Sequence, residues 1–207
     1  MNAARKAGRP GILIAIEGID GTGKSTQLRL LAGELVRRGH EVVATREPTD
    51  GPFGLKIREL FLNRGQVSPA EELALFVADR REHVRDVIEP ALAAGKIVLT
   101  DRYYFSTAAY QGAAGHDPEA ILRENESFAP EPDLVLLLDL PPAKGIERIE
   151  SLRGERLNEF EQEQNLRRVA AIFASLRRPC IVRIDAAGDA AAVHGLILAQ
   201  VERLLAS

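Results

Sequence analysis

The chain is poor in sulfur and contains no tryptophan. Its 207 residues include one cysteine and one methionine. With Cys180 alone, no disulfide can form within the chain, which is typical of a reducing compartment, so we predict a cytoplasmic protein. Because Cys180 opens a strand-like apolar stretch, we interpret it as a small core side chain rather than a reactive thiol. One cysteine and four histidines give no spacing typical of a zinc site.

The chain also lacks long apolar runs and an excess of positive charge. The first apolar run, Ile12–Ile16, ends at Glu17 and is far shorter than the roughly 20 residues that cross a bilayer. The 27 basic and 30 acidic residues give a net charge of −3, unlike the basic footprint of nucleic-acid-binding proteins. We therefore expect no membrane partner and no nucleic-acid partner.

What the sequence does contain is a complete phosphate-binding motif, Gly-Ile-Asp-Gly-Thr-Gly-Lys-Ser, at residues 18–25. An apolar strand precedes it and a helix-like stretch follows, so backbone N–H groups and a helix dipole converge on one spot. An incidental glycine-rich turn would not have strand, loop and helix in register. The predicted triphosphate-binding residues are Gly18, Ile19, Asp20, Gly21, Thr22, Gly23, Lys24, Ser25 and Thr26, with Lys24 on the β- and γ-phosphates and Ser25 on Mg²⁺.

Apolar strands and helical stretches alternate along the rest of the chain. This order indicates a parallel sheet with helices on both faces, here a P-loop NTPase fold of three α/β/α layers around five strands. Residues 1–10 are predicted to be a disordered tail, and residues 11–207 a single domain. The predicted strands are 12–16, 41–45, 96–100, 134–140 and 180–184. A helix is expected to begin after Ser68 and to end near Ala94, with a kink at Pro90.

Two aspartates compete as the carboxylate that organises Mg²⁺. Asp101 and Asp139 each end a predicted strand, and ligands bind at the carboxyl ends of such strands. Asp139 is followed by a Pro-Pro turn, which favours a turn or N-cap role. Asp101 is followed directly by Arg102, and such a pair can supply both a metal-organising carboxylate and a bidentate phosphate contact. We favour Asp101.

Three further segments have two interpretations each. Phe76 and Arg80 share a helix face, where they could hold a base, but spacing alone favours a core Phe beside a surface Arg. The polar-aromatic stretch 103–112 could be a recognition wall or a packed amphipathic helix. The charged stretch 151–161 could be a mobile flap that brings an arginine to the γ-phosphate, or an exposed loop. His83 is interpreted as structural.

In combination, these segments resemble the thymidylate kinase family over nearly the whole chain from Gly11. The resemblance is carried by residues 17–26, 45–48, 78–83, 101–112 and 132–141. It implies Mg²⁺-dependent phosphorylation of dTMP to dTDP by ATP, a step of dTTP synthesis, on a nucleoside monophosphate kinase domain that forms a homodimer.

The resemblance also implies roles for individual residues. For the acceptor, Asp20 approaches the 3′-hydroxyl and the Mg²⁺ shell, Arg102 grips the phosphate, and Tyr110 crowds the 2′ position. Phe76 stacks on thymine, with Arg80 and Gln111 at its polar edge. The remaining implied residues are Arg46 and Thr107 for substrate, Asp101 and Glu47 for metal and water, and Lys24, Arg153 and Arg156 for the transferred phosphoryl group.

The sequence departs from the family pattern at three places. Many members carry Gly-Gly-Thr after Arg-Glu-Pro, whereas this chain has Thr49–Asp50–Gly51. The flap of many bacterial members reads Asp-Arg-Phe-Glu, whereas this chain has Asn-Glu-Phe-Glu at 158–161. Some members instead carry an arginine in the phosphate loop, where this chain has Gly21. Arg153 or Arg156 is therefore expected to supply the γ-phosphate arginine.

Two other functions remain open from the sequence. The chain could phosphorylate another nucleoside monophosphate or a deoxynucleoside, because the phosphate loop does not identify the acceptor. It could also be a P-loop ATPase switch without an acceptor. The sequence contains no Asn-Lys-x-Asp motif, which counts against a GTPase.

Overall fold

A single parallel sheet organises the computed structural model. The structure describes residues 10–62, 67–153 and 159–206, without the side chains of residues 62, 152, 153 and 159–162. The strands lie in the order β2-β3-β1-β4-β5, and all neighbouring pairs are parallel. This confirms the predicted α/β fold with five parallel strands. The strands are β1 (Ile12–Glu17), β2 (Val42–Arg46), β3 (Ile97–Asp101), β4 (Leu134–Asp139) and β5 (Ile181–Asp185).

Helices cover both faces of the sheet. They are α1 (Lys24–Arg37), α2 (Pro52–Leu62), α3 (Pro69–His83), α4 (Glu89–Ala93), α5 (Tyr104–Ala113), α6 (Pro118–Glu126), α7 (Pro142–Arg153), α8 (Glu159–Ser175) and α9 (Ala190–Leu205). Within the described part of the chain, none of them is long and apolar enough to span a bilayer.

The two faces of the central strand β1 pack into two separate cores. Leu13 and Ala15 contribute to a cluster with α5, α6 and α8, whereas Ile14 and Ile16 contribute to a cluster with α1 and α9. Because successive strand residues point to opposite faces, a strand that is buried on both sides must be apolar throughout. This explains the unbroken apolar runs of β1 and β4. Cys180 is buried, as predicted.

The predicted long helix is divided near its middle. Ser68 caps α3 with a complete capping box, as predicted. At Val84–Ile88 the helix becomes π-helical, and the Glu89 N–H bonds the Val84 carbonyl five residues earlier. The change lies directly before Pro90, which has no N–H to donate to a regular helical ladder. The expected kink is thus a change of helix type that leads into α4.

The register of the sheet brings the ends of three strands together. Asp101 at the end of β3 pairs with Ile16 of β1 on one side and with Arg46 of β2 on the other. Asp139 pairs instead with Asp185 of β5 at the far side of the sheet. The polar segments that follow β1, β2 and β3 therefore share one edge, where a ligand cleft is expected.

Candidate active site

The phosphate loop connects β1 to α1. Gly18, Gly21 and Gly23 have φ values of 139°, 82° and 89°, which side chains rarely tolerate. Lys24 Nζ donates to the Gly18 carbonyl at 3.0 Å and to the Ile19 carbonyl at 2.8 Å. Gly23 has no side chain with which to cap α1, so the first-turn N–H groups of this helix are left for phosphate oxygens.

Helix α7 presses directly on this loop. A Cβ atom placed on Gly21 would lie 2.2 Å from the Gly145 carbonyl oxygen, and one on Gly145 would lie 2.7 Å from the Asp20 carbonyl oxygen. Both contacts are with backbone, so no side-chain rotation can relieve them. This contact explains why the loop has glycine where some family members have arginine.

The pKa of Lys24 is lowered to about 8, mainly by burial. Arg102 contributes to this lowering, whereas the carboxylates of Asp20, Asp101 and Glu17 oppose it. The ammonium therefore remains protonated at neutral pH, in a site where its charge is poorly solvated. A triphosphate, which brings several negative charges to such a site, is favoured there.

Ser25 and Asp101, both predicted metal residues, lie together. The Ser25 hydroxyl donates to Asp101 Oδ2 at 2.5 Å. The other oxygen, Asp101 Oδ1, is buried and has no hydrogen-bond partner among the described residues. No group of three or more acidic, histidine or cysteine side chains that could hold a metal occurs in the described ranges. Asp139 lies in a separate cleft with Arg167 and Asp185.

Asp20, Arg102 and Tyr110 meet at the mouth of the loop. Arg102 Nη2 donates to Asp20 Oδ1 at 2.6 Å, and the Tyr110 hydroxyl donates to Asp20 Oδ2 at 3.0 Å. The guanidinium lies 5.0 Å from the centre of the Tyr110 ring. Burial lowers the pKa of Arg102, but Tyr110, Asp20 and Glu17 raise it by more, so Arg102 stays charged. The phosphate loop, the residue that follows β3 and helix α5 thus together place the Arg102 guanidinium next to the phosphate loop.

Arg80 is buried, although its helical spacing from Phe76 favoured a surface position. It is only 2% exposed, and the surface interpretation is therefore wrong. Its guanidinium donates to Glu47 Oε2 through Nε at 2.9 Å and through Nη2 at 2.5 Å. Nη1 donates to Asn125 Oδ1 at 2.7 Å, and Nη2 to Thr107 Oγ1 at 2.9 Å. Because a buried arginine needs such partners, these contacts fix the orientation of its guanidinium plane.

Gln111 and Phe76 lie on the two helices that flank this network. The Gln111 amide donates to Glu72 Oε1 at 3.0 Å, whereas its buried carbonyl Oε1 has no partner in the described part of the chain. Phe76 is half-buried, and its ring centre lies 6.3 Å from that of Phe61. A planar ligand between these helices would meet an aromatic surface and an unsatisfied acceptor.

The predicted metal residue Glu47 is engaged by protein side chains. Besides Arg80 at Oε2, it contacts His83 Nδ1 at 3.0 Å through Oε1. His83 Nε2 in turn lies 2.8 Å from the Thr45 hydroxyl. Burial raises the pKa of Glu47, but Arg80 and His83 lower it by more, so the carboxylate stays ionised. Its role in metal binding stays a prediction, since these contacts indicate a residue that orients Arg80.

The carboxylate of Asp79 on α3 holds the loop that follows Glu47. Thr49 donates to Asp79 through its backbone N–H at 2.9 Å and through its hydroxyl at 2.5 Å. Arg46 and Arg58 both donate to Asp50 Oδ1 at 2.8 Å. Arg46 faces a cleft of about 540 Å³ that Ser25 and Asp101 also line. The Thr-Asp-Gly sequence of this loop thus makes polar contacts with Asp79, Arg46 and Arg58.

The flap prediction falls largely outside the described residues. Helix α7 ends at Arg153, whose side chain is not described, and α8 begins at Glu159. Arg156 lies in the segment 154–158, which is also outside the description. The assignment of either arginine to the γ-phosphate therefore stays a prediction.

Sequence reasoning missed three residues that support the site. Glu17, Asn125 and Gly145 are all buried and contact a predicted functional residue or its neighbour. Of the three, only Glu17 could have been identified from the sequence, because an ionisable residue at the end of an otherwise apolar, buried strand needs a partner. Asn125 lies on α6 and Gly145 on α7, and neither helix contains a sequence motif that would connect it to the site.

Comparison with known proteins gives one consistent result. The sequence profile described as thymidylate kinase matches residues 16–197. The thymidylate kinase of Desulfotalea psychrophila is 55% identical over 196 residues, which cover 95% of this chain and 96% of that protein. The thymidylate kinase of Xanthomonas campestris pv. campestris strain B100 is 50% identical over 193 residues, which cover 91% and 84%. The chain therefore belongs to the thymidylate kinase family.

Proposed function

We propose that this chain transfers the γ-phosphoryl group of ATP to dTMP, giving ADP and dTDP. The observation that carries the proposal is the meeting of Asp20 and Arg102 at the phosphate loop. Asp20 belongs to the loop that binds the donor, and Arg102 begins the segment that leads to the base-binding helix α5. Donor and acceptor phosphates are thereby brought next to each other. Family membership and the names of the relatives support the same acceptor.

On the donor side, positioning and charge stabilisation account for most of the catalysis. The loop N–H groups and Lys24 bind the β- and γ-phosphates, and Ser25 and Asp101 would hold Mg²⁺, directly or through water. When bound there, Mg²⁺ would supply positive charge that stabilises the transferred phosphoryl group. Asp101 Oδ1 suits this role because it is buried with no hydrogen-bond donor among the described side chains. No covalent enzyme intermediate is needed.

On the acceptor side, the phosphate binds the guanidinium of Arg102. Asp20 then accepts a hydrogen bond from the 3′-hydroxyl of the sugar, and the Tyr110 ring fills the space beside the 2′ position. Burial raises the pKa of Tyr110 to about 12, so its hydroxyl is a neutral donor at working pH. A ribose 2′-hydroxyl would crowd that ring, which favours deoxyribose.

The base is recognised between α3 and α5. Phe76 stacks on thymine, and Arg80 and Thr107 lie at its polar edge. The carbonyl of Gln111 can accept the N3–H of thymine, because Glu72 holds the amide group on the other side. Cytosine has no N3–H and would leave this carbonyl unpaired, so we expect discrimination against dCMP.

A comparison of several possible acceptors tests the proposal directly. ADP release from ATP is measured with dTMP, dUMP, dCMP, AMP, CMP and thymidine as acceptors, and without any acceptor. We expect the highest kcat/KM with dTMP. Faster turnover of another monophosphate or of the nucleoside would establish a different small-molecule kinase. ADP release that is independent of dTMP would instead support an ATPase switch.

Replacing Gln111 by methionine should weaken dTMP binding. The variant keeps the length of the side chain but leaves the N3–H of thymine unpaired, so KM for dTMP should rise by roughly 10- to 100-fold. The KM for ATP should not change. Gln200→Met on α9 serves as the control and should behave like the wild type. Equal KM values for dTMP in Gln111→Met and wild type would contradict the proposed base contact.

Three finer statements remain part of the proposal. Arg153 or Arg156 supplies positive charge to the γ-phosphate, because the phosphate loop has no arginine. The protein forms a homodimer, as the family resemblance implies. It works in the cytoplasm, where its nucleotide substrates are found.

A further inference from the structure

We propose that Glu17, acting through Ser106, is a positioning residue for Arg102. The inference rests on the proposed function, because that function places the acceptor phosphate on Arg102. Glu17 and Ser106 do not touch substrate in this proposal. They hold one end of the Arg102 guanidinium while the other end is exchanged between Asp20 and the phosphate.

Glu17 lies at the end of β1 and is completely buried. Its carboxylate accepts hydrogen bonds from the Tyr103 N–H at 2.8 Å, the Ser106 N–H at 3.1 Å and the Ser106 hydroxyl at 2.5 Å. These donors belong to the first turn of α5, directly after Arg102. A single carboxylate therefore anchors the start of the helix that carries the acceptor site.

The direction of the hydrogen bonds connects this anchor to Arg102. Arginine can only donate, so its Nη1 donates to Ser106 Oγ at 2.9 Å. The one proton of the serine hydroxyl is then directed to Glu17 Oε2. An ionised carboxylate can only accept, so the chain from Arg102 through Ser106 to Glu17 has one consistent polarity.

Arg102 needs this support at the moment when substrate binds. Its other nitrogen, Nη2, contacts Asp20, whose side chain is 51% exposed, so an incoming phosphate can reach this contact from solvent. The backbone of Arg102 has φ 71°, a left-handed conformation that is strained for a residue other than glycine. Ser106 on Nη1 and the Thr100 hydroxyl on the Arg102 carbonyl, at 2.8 Å, hold the residue there.

The ionised carboxylate of Glu17 reduces the stability of the folded chain. Burial raises the pKa of Glu17 from 4.5 to about 7, against the opposing effects of Ser106 and Arg102. An acid whose pKa is higher in the folded chain than in the unfolded chain reduces stability as pH rises from about 4.5 through 7. The three hydrogen bonds that Glu17 accepts therefore hold a buried charge in place beside Arg102 although that charge costs stability.

The test compares Glu17→Gln and Ser106→Ala with the wild type at pH 8. We expect kcat/KM for dTMP to fall roughly 10- to 100-fold in both variants, because a buried charge-assisted contact to Arg102 is lost. The KM for ATP should stay within about twofold. The Tm of Glu17→Gln should not fall, because the substitution removes a buried charge. A fall in Tm together with equal losses for both substrates would indicate a structural role and overturn the proposal.

A matched control and a double-mutant cycle make the test specific. Glu71 also accepts hydrogen bonds from a serine N–H and hydroxyl at a helix N-terminus, but in α3 and away from Arg102, so Glu71→Gln should leave dTMP use unchanged. In an Arg102→Ala background, Glu17→Gln should cause no further loss. Additive losses would overturn the proposal. If the comparison of acceptors finds a better one than dTMP, the same cycle is run with that monophosphate, so failure of the proposed function is recognised separately.

Discussion

Alanine at position 24 is expected to reduce kcat for dTMP phosphorylation by about 10³-fold or more. The Lys24 ammonium is buried in the phosphate loop and is held over the Gly18 and Ile19 carbonyls, where it can reach the β- and γ-phosphates. A preorganised donor in a poorly solvated site stabilises transferring charge far more than one in water, and its loss cannot be replaced by solvent. Steady-state ADP release at saturating ATP and dTMP measures the effect.

The fold of this variant should survive. Burial is the main cause that lowers the pKa of Lys24 to about 8, from its ordinary value of 10.5, so the buried ammonium, although still protonated, reduces the stability of the folded chain at pH 7. Removing it should therefore not lower Tm at pH 7. Lys56→Ala on the exposed side of α2 is the control and should keep wild-type kcat. Residual activity of Lys24→Ala within tenfold of wild type would contradict the assignment.

The features that could be predicted from sequence depend on contacts that are close along the chain. The phosphate loop, the capping box at Ser68 and the strand ends at Asp101 and Arg102 are each specified within a few residues. The parallel sheet follows from the alternation of apolar strands with helices, and unbroken apolar runs identify central strands such as β1. Local chemistry is therefore enough to predict that the phosphate loop follows β1 at the carboxyl edge of the sheet.

The residues predicted to bind the acceptor make contacts that a sequence pattern cannot supply. Arg80 is buried because Asn125 of α6 and Glu47 of the β2 loop converge on its guanidinium, 45 and 33 residues away. The spacing of Phe76 and Arg80 on one helix contains no information about those partners. Likewise, the sequence does not show that the two carboxylate oxygens of Glu47 contact Arg80 and His83. The metal role of Glu47 stays a prediction.

Arginine at position 21 is expected to inactivate the enzyme, although some family members have arginine in this loop. In this chain Gly21 has φ 82°, and its Cβ position lies 2.2 Å from the Gly145 carbonyl oxygen. Any side chain must push the loop or α7 aside. Because a misplacement of about 1 Å can cost about 100-fold, we expect kcat to fall by at least that factor in Gly21→Arg, as measured by ADP release with dTMP.

The contact between the phosphate loop and α7 can also be tested by a substitution in α7. Gly145→Ala leaves the loop sequence intact but places a Cβ 2.7 Å from the Asp20 carbonyl oxygen, so it should reduce kcat in the same way. Gly33 is also helical, and no atom of the described chain lies within 4 Å of its Cβ position. Gly33→Ala should therefore raise the unfolding free energy by about 0.5–1 kcal/mol and leave kcat unchanged. Wild-type kcat in both Gly21→Arg and Gly145→Ala would mean that α7 yields to the loop, and the absence of a loop arginine would then have no steric cause.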